Sequence, residues 1–406
     1  MDTILTHTVD YLVVAILVAI IARRLHLPYT VGLVVTGLGL AMAGLETSAM
    51  LTHDFIFEII LPPLLFEAAL SIHWRELRRD ILPVVVLSTL GVVVSAVVVA
   101  AGMVELLAWP AESALVFGVL ISATDPIAVL AMFKDTGIKG RRRLLVETES
   151  LFNDGVAAVL FALVLAWAQA TSIELTTATM AAALVLMTGG GIFVGIACGG
   201  AAIALAGRTS DRLVEATLTS VAAYGSFLLA ESFHFSGVLA TVSAGLLMGN
   251  LGVLKEGEER NRFSSDGRSF VVSLWEFAAF IANSLIFLLI GLAVAAMPFT
   301  GINTGTIFVA IGLVVVGRGL AVYPLCLVFR PSTWAVPIRE QHILWWGGLR
   351  GALALALALV LPPTFPLHNE ILITAYGVVV FSVVFQGLTM PVLLRRLNIL
   401  PKECEI

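Results

Sequence analysis

Residues 147–168 read ETESLFNDGVAAVLFALVLAWA. The second half of this stretch is apolar enough for the interior of a lipid bilayer, yet Glu149, Asn153 and Asp154 stand at its entrance or within it. An ionised side chain at the centre of a bilayer costs about 2.5–3.5 kcal/mol on insertion scales, so such residues mark ion pathways, proton relays or compensating charge pairs. The stretch therefore predicts a membrane helix whose polar groups serve a function.

The composition of the whole chain indicates an integral membrane protein. Its 406 residues are 59% apolar and 13% charged, against about 45–50% and about 25% in soluble domains, and its mean hydropathy is +1.02. A bilayer core requires about 20 mostly apolar residues per helix. We predict an all-α membrane protein with about thirteen spans, near residues 10–23, 28–44, 54–71, 80–107, 112–133, 143–169, 178–206, 211–230, 236–250, 268–297, 302–328, 340–360 and 369–394.

Lysines and arginines predict the orientation of the spans. They fall in the loops after every second span, for example at 23–24 and 141–143, and the intervening loops have none. Because these residues concentrate on the cytoplasmic side, we expect an N-terminus outside a cell (plasma or inner) membrane and a cytoplasmic C-terminus, with 398–406 as a short tail. Only Arg318 and Arg350 lie within apolar spans instead of loops.

A weak internal repeat adds to this topology. The stretch from His26, HLPYTVGLVVTGLGLAMAG, resembles the stretch from His234, HFSGVLATVSAGLLMG, with Gly37 and Gly245 at the same offset. We predict two inverted six-helix repeats, an arrangement that builds transport sites near the membrane midplane; chance likeness of glycine-rich helices is the alternative. The predicted membrane domain is 1–397, with repeat one at about 10–169, a linking helix at about 178–206 and repeat two at about 211–397.

The fifth span contains SATDPIAVL, with Thr124, Asp125 and Pro126 near its middle. Pro126 lacks a backbone N–H and clashes with the preceding helical turn, so we expect the helix to loosen here. Freed carbonyls and the ends of half-helices can coordinate a cation where they line a cavity. The alternative is a kinked packing helix in which Asp125 caps the second half.

In the opening stretch, helical spacing groups the polar residues. Glu149 and Asn153 lie four residues apart, as do Ser150 and Asp154, so two neighbouring stripes present polar groups to one side. Gly155 permits close approach of another helix. The alternative is a helix entrance at the cytoplasmic surface, with Glu149 near the first turn, but this leaves Asp154 unexplained.

Three further charged residues lie in apolar stretches. Glu67 stands in ILPPLLFEAALSI, where a helix-end carboxylate near Arg75 is the alternative interpretation. GRGLAVYP and WWGGLRGALALALAL contain Arg318 and Arg350, and we predict Glu149 as the partner of Arg318. The glycines around Arg350 predict a second interrupted helix in the repeat position that corresponds to the TDP helix. The alternative is that Arg350 snorkels or caps carbonyls and only stabilises the fold.

Together these motifs resemble the sodium/proton antiporters of the NhaP/NHE type, within the monovalent cation:proton antiporter family. The residues that carry the resemblance are FEAAL with Glu67, TDP at 124–126, ESLFND at 149–154 and GGLRGAL around Arg350. It extends over nearly the whole chain. The resemblance implies a NhaA/NhaP-like fold with interrupted helices crossing in a six-helix core. It also implies a homodimer, with spans 1–3 and 7–10 as the dimerisation part and spans 4–6 and 11–13 as the core transport part.

The resemblance also assigns roles to residues. It implies that Asp154 is the main cation and proton carboxylate, joined as Na⁺ ligands by Asp125, Ser150, Glu67 and the backbone carbonyl of Thr124. Asn153 occupies the position where electrogenic relatives have a second aspartate, which favours electroneutral one-for-one exchange. Glu149 and Arg318 would form a structural ion pair, with Arg350 as possible support of the core.

Charge considerations lead to the same mechanism without the family. A partly dehydrated carboxylate near a second one can hold a proton near neutral pH, whereas a bound cation favours its ionised form. Proton and cation therefore compete for Asp154, and alternating exposure of the site gives antiport with no cofactor. Oxygen ligands suit Na⁺ or Li⁺, and a K⁺/H⁺ antiporter of the same fold is the alternative because selectivity against K⁺ depends on cavity size.

Other classes of protein fit the sequence less well. An intramembrane aspartyl protease could use Asp125 and Asp154 as a dyad, but it would need neither the arginines nor the repeat, and its GxGD context is absent. A cation channel would need a repeated filter loop or an acidic ring. The chain has no GxxxxGK[ST] motif. We expect membrane lipids as partners, with anionic lipid a candidate at the dimer contact, and neither nucleotide nor nucleic acid.

Overall fold

The computed structural model describes residues 2–24, 28–43, 52–169, 177–254, 263–296 and 304–399, which form helices and short connections. The α-helices in these residues are α1 (Asp2–Arg24), α2 (Tyr29–Met42), α3 (Leu61–Ser71), α4 (Trp74–Leu107), α5 (Ala111–Leu120), α6 (Ile127–Asp135), α7 (Arg141–Gln169), α8 (Thr177–Ala206), α9 (Arg212–Ser232), α10 (Gly237–Met248), α11 (Ser265–Ala296), α12 (Thr304–Val328), α13 (Ile338–Trp346), α14 (Ala352–Val360), α15 (His368–Phe381) and α16 (Gly387–Arg396). Within the same residues, three π-helical turns, Phe55–Ile60, Gly249–Val253 and Ser382–Gln386, adjoin α3, α10 and α15. The predicted all-α class is confirmed.

All thirteen predicted spans overlap helical segments in the described part of the chain. Seven helical stretches there are long and apolar enough to cross a bilayer, and shorter apolar helices accompany them. Two of the remaining predicted spans, 112–133 and 340–360, consist of two short helices separated by a break, so each piece is shorter than a membrane crossing. Others, such as Tyr29–Met42 and Gly237–Val253, are single apolar helices of 10–17 residues. His26, at the start of the predicted repeat, and residues 400–406 of the predicted tail lie outside the described residues.

Contacts between residues divide the chain into two units, and the first is built around the interrupted helices. Within it, α2 and α11 approach each other through glycines. A Cβ atom on Gly37 would lie 2.2 Å from the carbonyl oxygen of Leu288, and one on Gly291 would lie 2.1 Å from that of Val34. Any larger side chain at these positions would separate the two helices. The first unit comprises Met1–Ile56, Leu82–Asn153 and Ser284–Ile406.

The second unit is also held together by helices that meet at small residues. Gly191, Gly195 and Gly199 face α10 at successive turns of α8, and a Cβ atom on Gly195 would lie 2.1 Å from the carbonyl oxygen of Ala240. Such small-residue faces let membrane helices pack closely. Gly155 of α7 likewise meets Leu239, so close helix approach at Gly155 is confirmed. The second unit comprises Phe57–Ile81 and Asp154–Asn283.

Candidate functional site

The two predicted interruptions both occur, and both lie in the first unit. α5 ends at Leu120 and α6 begins at Ile127, with Pro126 immediately before it. α13 ends at Trp346 and α14 begins at Ala352, after a glycine-containing break. The prediction of two interrupted helices is confirmed, because proline removes a donor from the first helix and glycine disfavours regular helix in the second.

The two breaks bind each other through the backbone and one arginine. The backbone N–H of Asp125 donates to the carbonyl of Leu349 at 2.7 Å. Arg350 Nη1 donates to the carbonyls of Ser122 at 2.7 Å and Ala123 at 3.1 Å. These carbonyls follow the C-terminus of α5, where unsatisfied C=O groups concentrate negative partial charge. Arg350 therefore neutralises the end of one half-helix from the break in the other.

Asp125 binds the N-terminal ends of the two half-helices that follow the breaks, α6 and α14. Its Oδ1 accepts a hydrogen bond from the backbone N–H of Ile127 at 3.0 Å, and its carboxylate also accepts one from the backbone of Ala352. These are the first residues of α6 and α14, where a negative charge is favourable. A Cβ atom on Gly351 would lie 2.1 Å from Asp125 Oδ2, so this contact requires glycine. The capping role considered for Asp125 is thus real and extends to both half-helices.

Polar side chains of α7 lie against the first break. The Ser150 hydroxyl donates to the carbonyl of Thr124. Asn153 Nδ2 donates to Thr124 Oγ1 at 3.0 Å, and it approaches the carbonyl of Ser122 at 3.4 Å. Asn153 Oδ1 is buried with no hydrogen-bond partner among the described residues. Thr124, Ser150 and Asn153 therefore form a buried cluster rich in oxygen atoms, of the kind that hard cations bind.

Glu149, on the same helix, forms a buried ion pair with Arg318 of α12. Arg318 Nη1 lies 2.8 Å from Glu149 Oε1, and Nη2 lies 2.7 Å from Oε2. Nε and Nη2 of Arg318 also donate to the carbonyl of Leu344, in the last turns of α13, at 3.2 and 3.1 Å. The two side chains are only 3% and 5% exposed. This is the bidentate geometry in which arginine and carboxylate bind most strongly.

Two predicted ligands belong to the second unit. Asp154 follows Asn153 directly on α7, and Glu67 lies on α3. Both are half-buried, and both lie in the second unit. The structure thus brings together Thr124, Asp125, Glu149, Ser150, Asn153, Arg318 and Arg350 in the first unit. The joining of Asp154 and Glu67 to that cluster stays a prediction.

Several hydrogen-bond partners at the two breaks were not predicted from the sequence. The carbonyls of Leu344 and Leu349 are backbone groups, for which a sequence has no signal. Gln386 does have a signal in the sequence, because it is a polar residue in the apolar stretch FSVVFQGLTM. Its Nε2 donates at 3.3 Å to the carbonyl of Trp346, the last residue of α13. It therefore satisfies a carbonyl that the break deprives of a helical partner.

Comparison with known proteins places this architecture in a family. The family model described as "Sodium/hydrogen exchanger, transmembrane" matches residues 12–396. The Na(+)/H(+) antiporter ApNhaP of Aphanothece halophytica is 37% identical over 385 residues, covering 94% of this chain and 71% of that protein. The Na(+)/H(+) antiporter NhaP of Pseudomonas aeruginosa is 35% identical over 399 residues, covering 92% of each.

The fold is also found in a solved structure. The sodium proton antiporter MjNhaP1 from Methanocaldococcus jannaschii at pH 8 superposes with a TM-score of 0.79 at 20% sequence identity, covering 98% of this chain and 99% of that one. The chain therefore belongs to the sodium/hydrogen exchanger family. The NhaP-type fold predicted from the motifs is confirmed.

Proposed function

We propose that Asp154 is the carboxylate at which Na⁺ and H⁺ compete during sodium/proton antiport by this chain. Sodium/proton antiport itself follows from family membership, which makes the chain a secondary transporter and not an enzyme. The observation that carries the assignment of Asp154 is the buried cluster of Thr124, Ser150 and Asn153. It lies at the first break, and Asp154 is the next residue of the same helix.

In the proposed site, Na⁺ is held by carboxylates and neutral oxygens. The carboxylates are those of Asp154, Asp125 and Glu67, and the neutral ligands are the Ser150 hydroxyl and the Thr124 carbonyl. The present Ser150–Thr124 hydrogen bond supports this set, because a hydroxyl can rotate its hydrogen away so that both oxygens face a cation. Oxygen donors of this type suit Na⁺ and Li⁺ and leave no role for a cofactor.

Exchange follows from mutually exclusive occupation of one group. A proton on Asp154 removes the charge that binds Na⁺, and bound Na⁺ stabilises the charge that the proton would remove. Alternating exposure of the site to the two sides then couples the two flows without ATP. Asn153, beside Asp154, adds no charge of its own, which supports electroneutral exchange of one Na⁺ for one H⁺.

The inverted repeat is a proposal supported by matching contacts. Under the repeat, span 2 corresponds to span 9 and span 3 to span 10. Gly37 of span 2 packs on Leu288 of span 10, and Gly245 of span 9 packs on Phe66 and Ala69 of span 3. A two-fold relation between the halves converts one of these contacts into the other. The interrupted helices, spans 5 and 12, correspond in the same way.

We further propose a homodimer in the cell membrane with the N-terminus outside and the C-terminus in the cytoplasm. The distribution of lysine and arginine supports this orientation. The predicted division into dimerisation and transport parts accompanies this proposal, as does anionic lipid at the dimer contact. Cross-linking of purified protein would test the dimer, and thiol labelling from one side of the membrane would test the orientation.

A flux assay tests the central proposal. Purified protein in liposomes with an internal pH dye should move protons on addition of Na⁺ or Li⁺, independently of membrane potential. Because proton and Na⁺ compete, the apparent KM for Na⁺ should rise by up to about tenfold per pH unit as the pH falls. Flux driven by potential would contradict electroneutral exchange, and an equal response to K⁺ would favour the K⁺/H⁺ alternative, which the names of the relatives do not support.

A further inference from the structure

A narrow crevice in the first unit reaches Asp125 and is lined by residues that the proposed ion site does not use. Its walls include Thr30 of α2, Phe287 of α11 and Val383 of the π-helical turn between α15 and α16, together with Arg350. Thr30, Phe287 and Val383 are each only 2% exposed. The crevice is too narrow for a water molecule in this conformation, so Asp125 is sealed from this side.

The crevice buries polar groups that lack hydrogen-bond partners among the described residues. Thr30 Oγ1, and the Nε and Nη2 atoms of Arg350, make no hydrogen bond within the part of the chain that the structure describes. Arg350 is only 1% exposed, and a guanidinium has five N–H donors that it keeps at any ordinary pH. Buried polar groups without partners are unfavourable, and water normally satisfies them. The crevice therefore combines the apolar side chains of Phe287 and Val383 with polar atoms whose hydrogen-bonding capacity is unsatisfied among the described residues.

We propose that this crevice is a closed access route to Asp125. Phe287 and Val383 form its seal, and Thr30 and Arg350 form a polar lining that takes up water when the seal opens. The inference rests on the proposed function, because a route to Asp125 has a role only if Asp125 serves ion exchange. Hydration of the unpaired atoms would offset the separation of the apolar side chains, so the closed state is poised to open.

The movable wall is the one that carries Val383. On the other side, α2 and α11 are locked together by the glycine contacts of Gly37 and Gly291 and by the hydrogen bond between the Tyr29 hydroxyl and Ser284. Val383 instead lies on the π-helical turn Ser382–Gln386. Such turns disrupt the regular helix and occur frequently at functional sites.

The same turn connects the crevice to the second break. Gln386, three residues after Val383, donates to the carbonyl of Trp346 at the end of α13. A displacement of the turn that opens the seal would therefore also pull on the break that presents Arg350 and Gly351. Opening of the crevice is thus mechanically linked to rearrangement of the second break.

Thiol labelling tests this route without relying on transport. The native Cys198, Cys326 and Cys404 are replaced by alanine, and Thr30→Cys is labelled with a small methanethiosulfonate reagent in the full-length protein. We expect Phe287→Ala to speed labelling several-fold. Phe117→Ala, which removes an equally buried ring that packs on Trp109 instead, should leave the rate unchanged. If Phe287→Ala does not fold, Val383→Ala opens the same seal with a smaller deletion.

A second cysteine position supplies the reference. Thr374 is 0% exposed, and its hydroxyl has no hydrogen-bond partner within the described ranges, but it does not line the crevice. Labelling of Thr30→Cys no faster than that of Thr374→Cys, and unchanged by either seal variant, overturns the route even if Na⁺/H⁺ exchange is normal. The wild-type protein could also show no Na⁺-dependent proton movement although Phe287→Ala speeds the labelling of Thr30→Cys. In that case the route is supported and the proposed function fails.

Transport by variants of Thr30 tests the polar lining. Thr30→Val keeps the shape and removes the hydroxyl, whereas Thr30→Ser keeps the hydroxyl. We expect Thr30→Val to slow exchange several-fold with unchanged melting in detergent, and Thr30→Ser to remain close to wild type. Equal exchange rates in the two variants would overturn a role for the hydroxyl.

Discussion

The two buried arginines of the first unit differ in how completely they are bound. Arg318 forms a bidentate pair with Glu149 and two further bonds to the carbonyl of Leu344. Arg350 uses only Nη1, which binds two carbonyls, and its Nε and Nη2 have no partner among the described residues. A satisfied buried pair maintains one arrangement of helices. An unsatisfied buried cation has groups left to bind water or protein in another arrangement.

We propose that the same contrast distinguishes a structural charge from a transport charge along α7. Both carboxylate oxygens of Glu149 bind Arg318, whereas four residues later Asn153 Oδ1 has no hydrogen-bond partner in the part of the chain that the structure describes. Asp154 follows on the same helix. We therefore expect substitutions near Glu149 to change stability first, and substitutions near Asp154 to change exchange first.

The largest expected effect is on exchange. Asp154→Asn and Asp125→Asn should each abolish Na⁺-dependent proton movement in liposomes while the protein still folds, because the neutral amide cannot exchange a proton for a cation. Asp54→Asn is the control, since the Asp54 side chain is 83% exposed. Retained exchange in Asp154→Asn would remove that residue from the central role and break the contrast.

Next in size is the stability of the satisfied pair. Glu149→Gln or Arg318→Gln should lower the free energy of unfolding by about 3–5 kcal/mol, because one buried charge loses its partner. Melting in detergent measures the change. Arg142→Gln is the matched control: Arg142 pairs with Glu340 at 3.2 Å, but its side chain is 47% exposed, and such pairs contribute about 0–1 kcal/mol. Equal losses in the two pairs would contradict a structural role for Glu149 and Arg318.

Substitution of Gly351 should affect both exchange and stability. Gly351→Ala should reduce exchange and destabilise the protein by about 1–3 kcal/mol, because the added Cβ overlaps the Asp125 carboxylate and overpacked sites lose about this much. Gly312→Ala adds the same atom where no atom of the described residues lies within 4 Å, and it should leave exchange intact. Normal exchange in Gly351→Ala would show that Asp125 does not need to cap both half-helices.

A smaller loss of stability than for Arg318 is expected for Arg350. Arg350→Gln removes hydrogen bonds to two carbonyls and should cost about 1–3 kcal/mol, less than Arg318→Gln, since no carboxylate loses its partner. Exchange should nevertheless fall, because Arg350 neutralises the end of α5 at the first break. A drop in melting temperature as large as that of Arg318→Gln would place both arginines in the same structural role.

Much of this site can be predicted from the sequence, because some of its residues have a distinctive chemistry in a membrane helix. Pro126 predicted the first break, because proline cannot continue a helical hydrogen-bond ladder. Arg318 predicted a carboxylate partner, since an arginine in a membrane must be compensated. By contrast, the sequence did not reveal that Asp125 binds the starts of both α6 and α14, or that Gly351 is required beside it. Those relations involve backbone groups that every residue has.

From the sequence alone it was possible to predict that this chain spans a membrane as helices, where two of them break, and that Glu149, Arg318 and Arg350 are buried charges. These properties follow from side-chain hydropathy and from the chemistry of proline, glycine and charge in lipid. The folded arrangement of the helices was needed to show that Arg318 is fully bound, whereas Arg350 keeps two nitrogens with no partner among the described residues. That outcome depends on distances between helices that are far apart in the chain. Whether a hydrogen bond forms is decided by differences of fractions of an ångström in those distances.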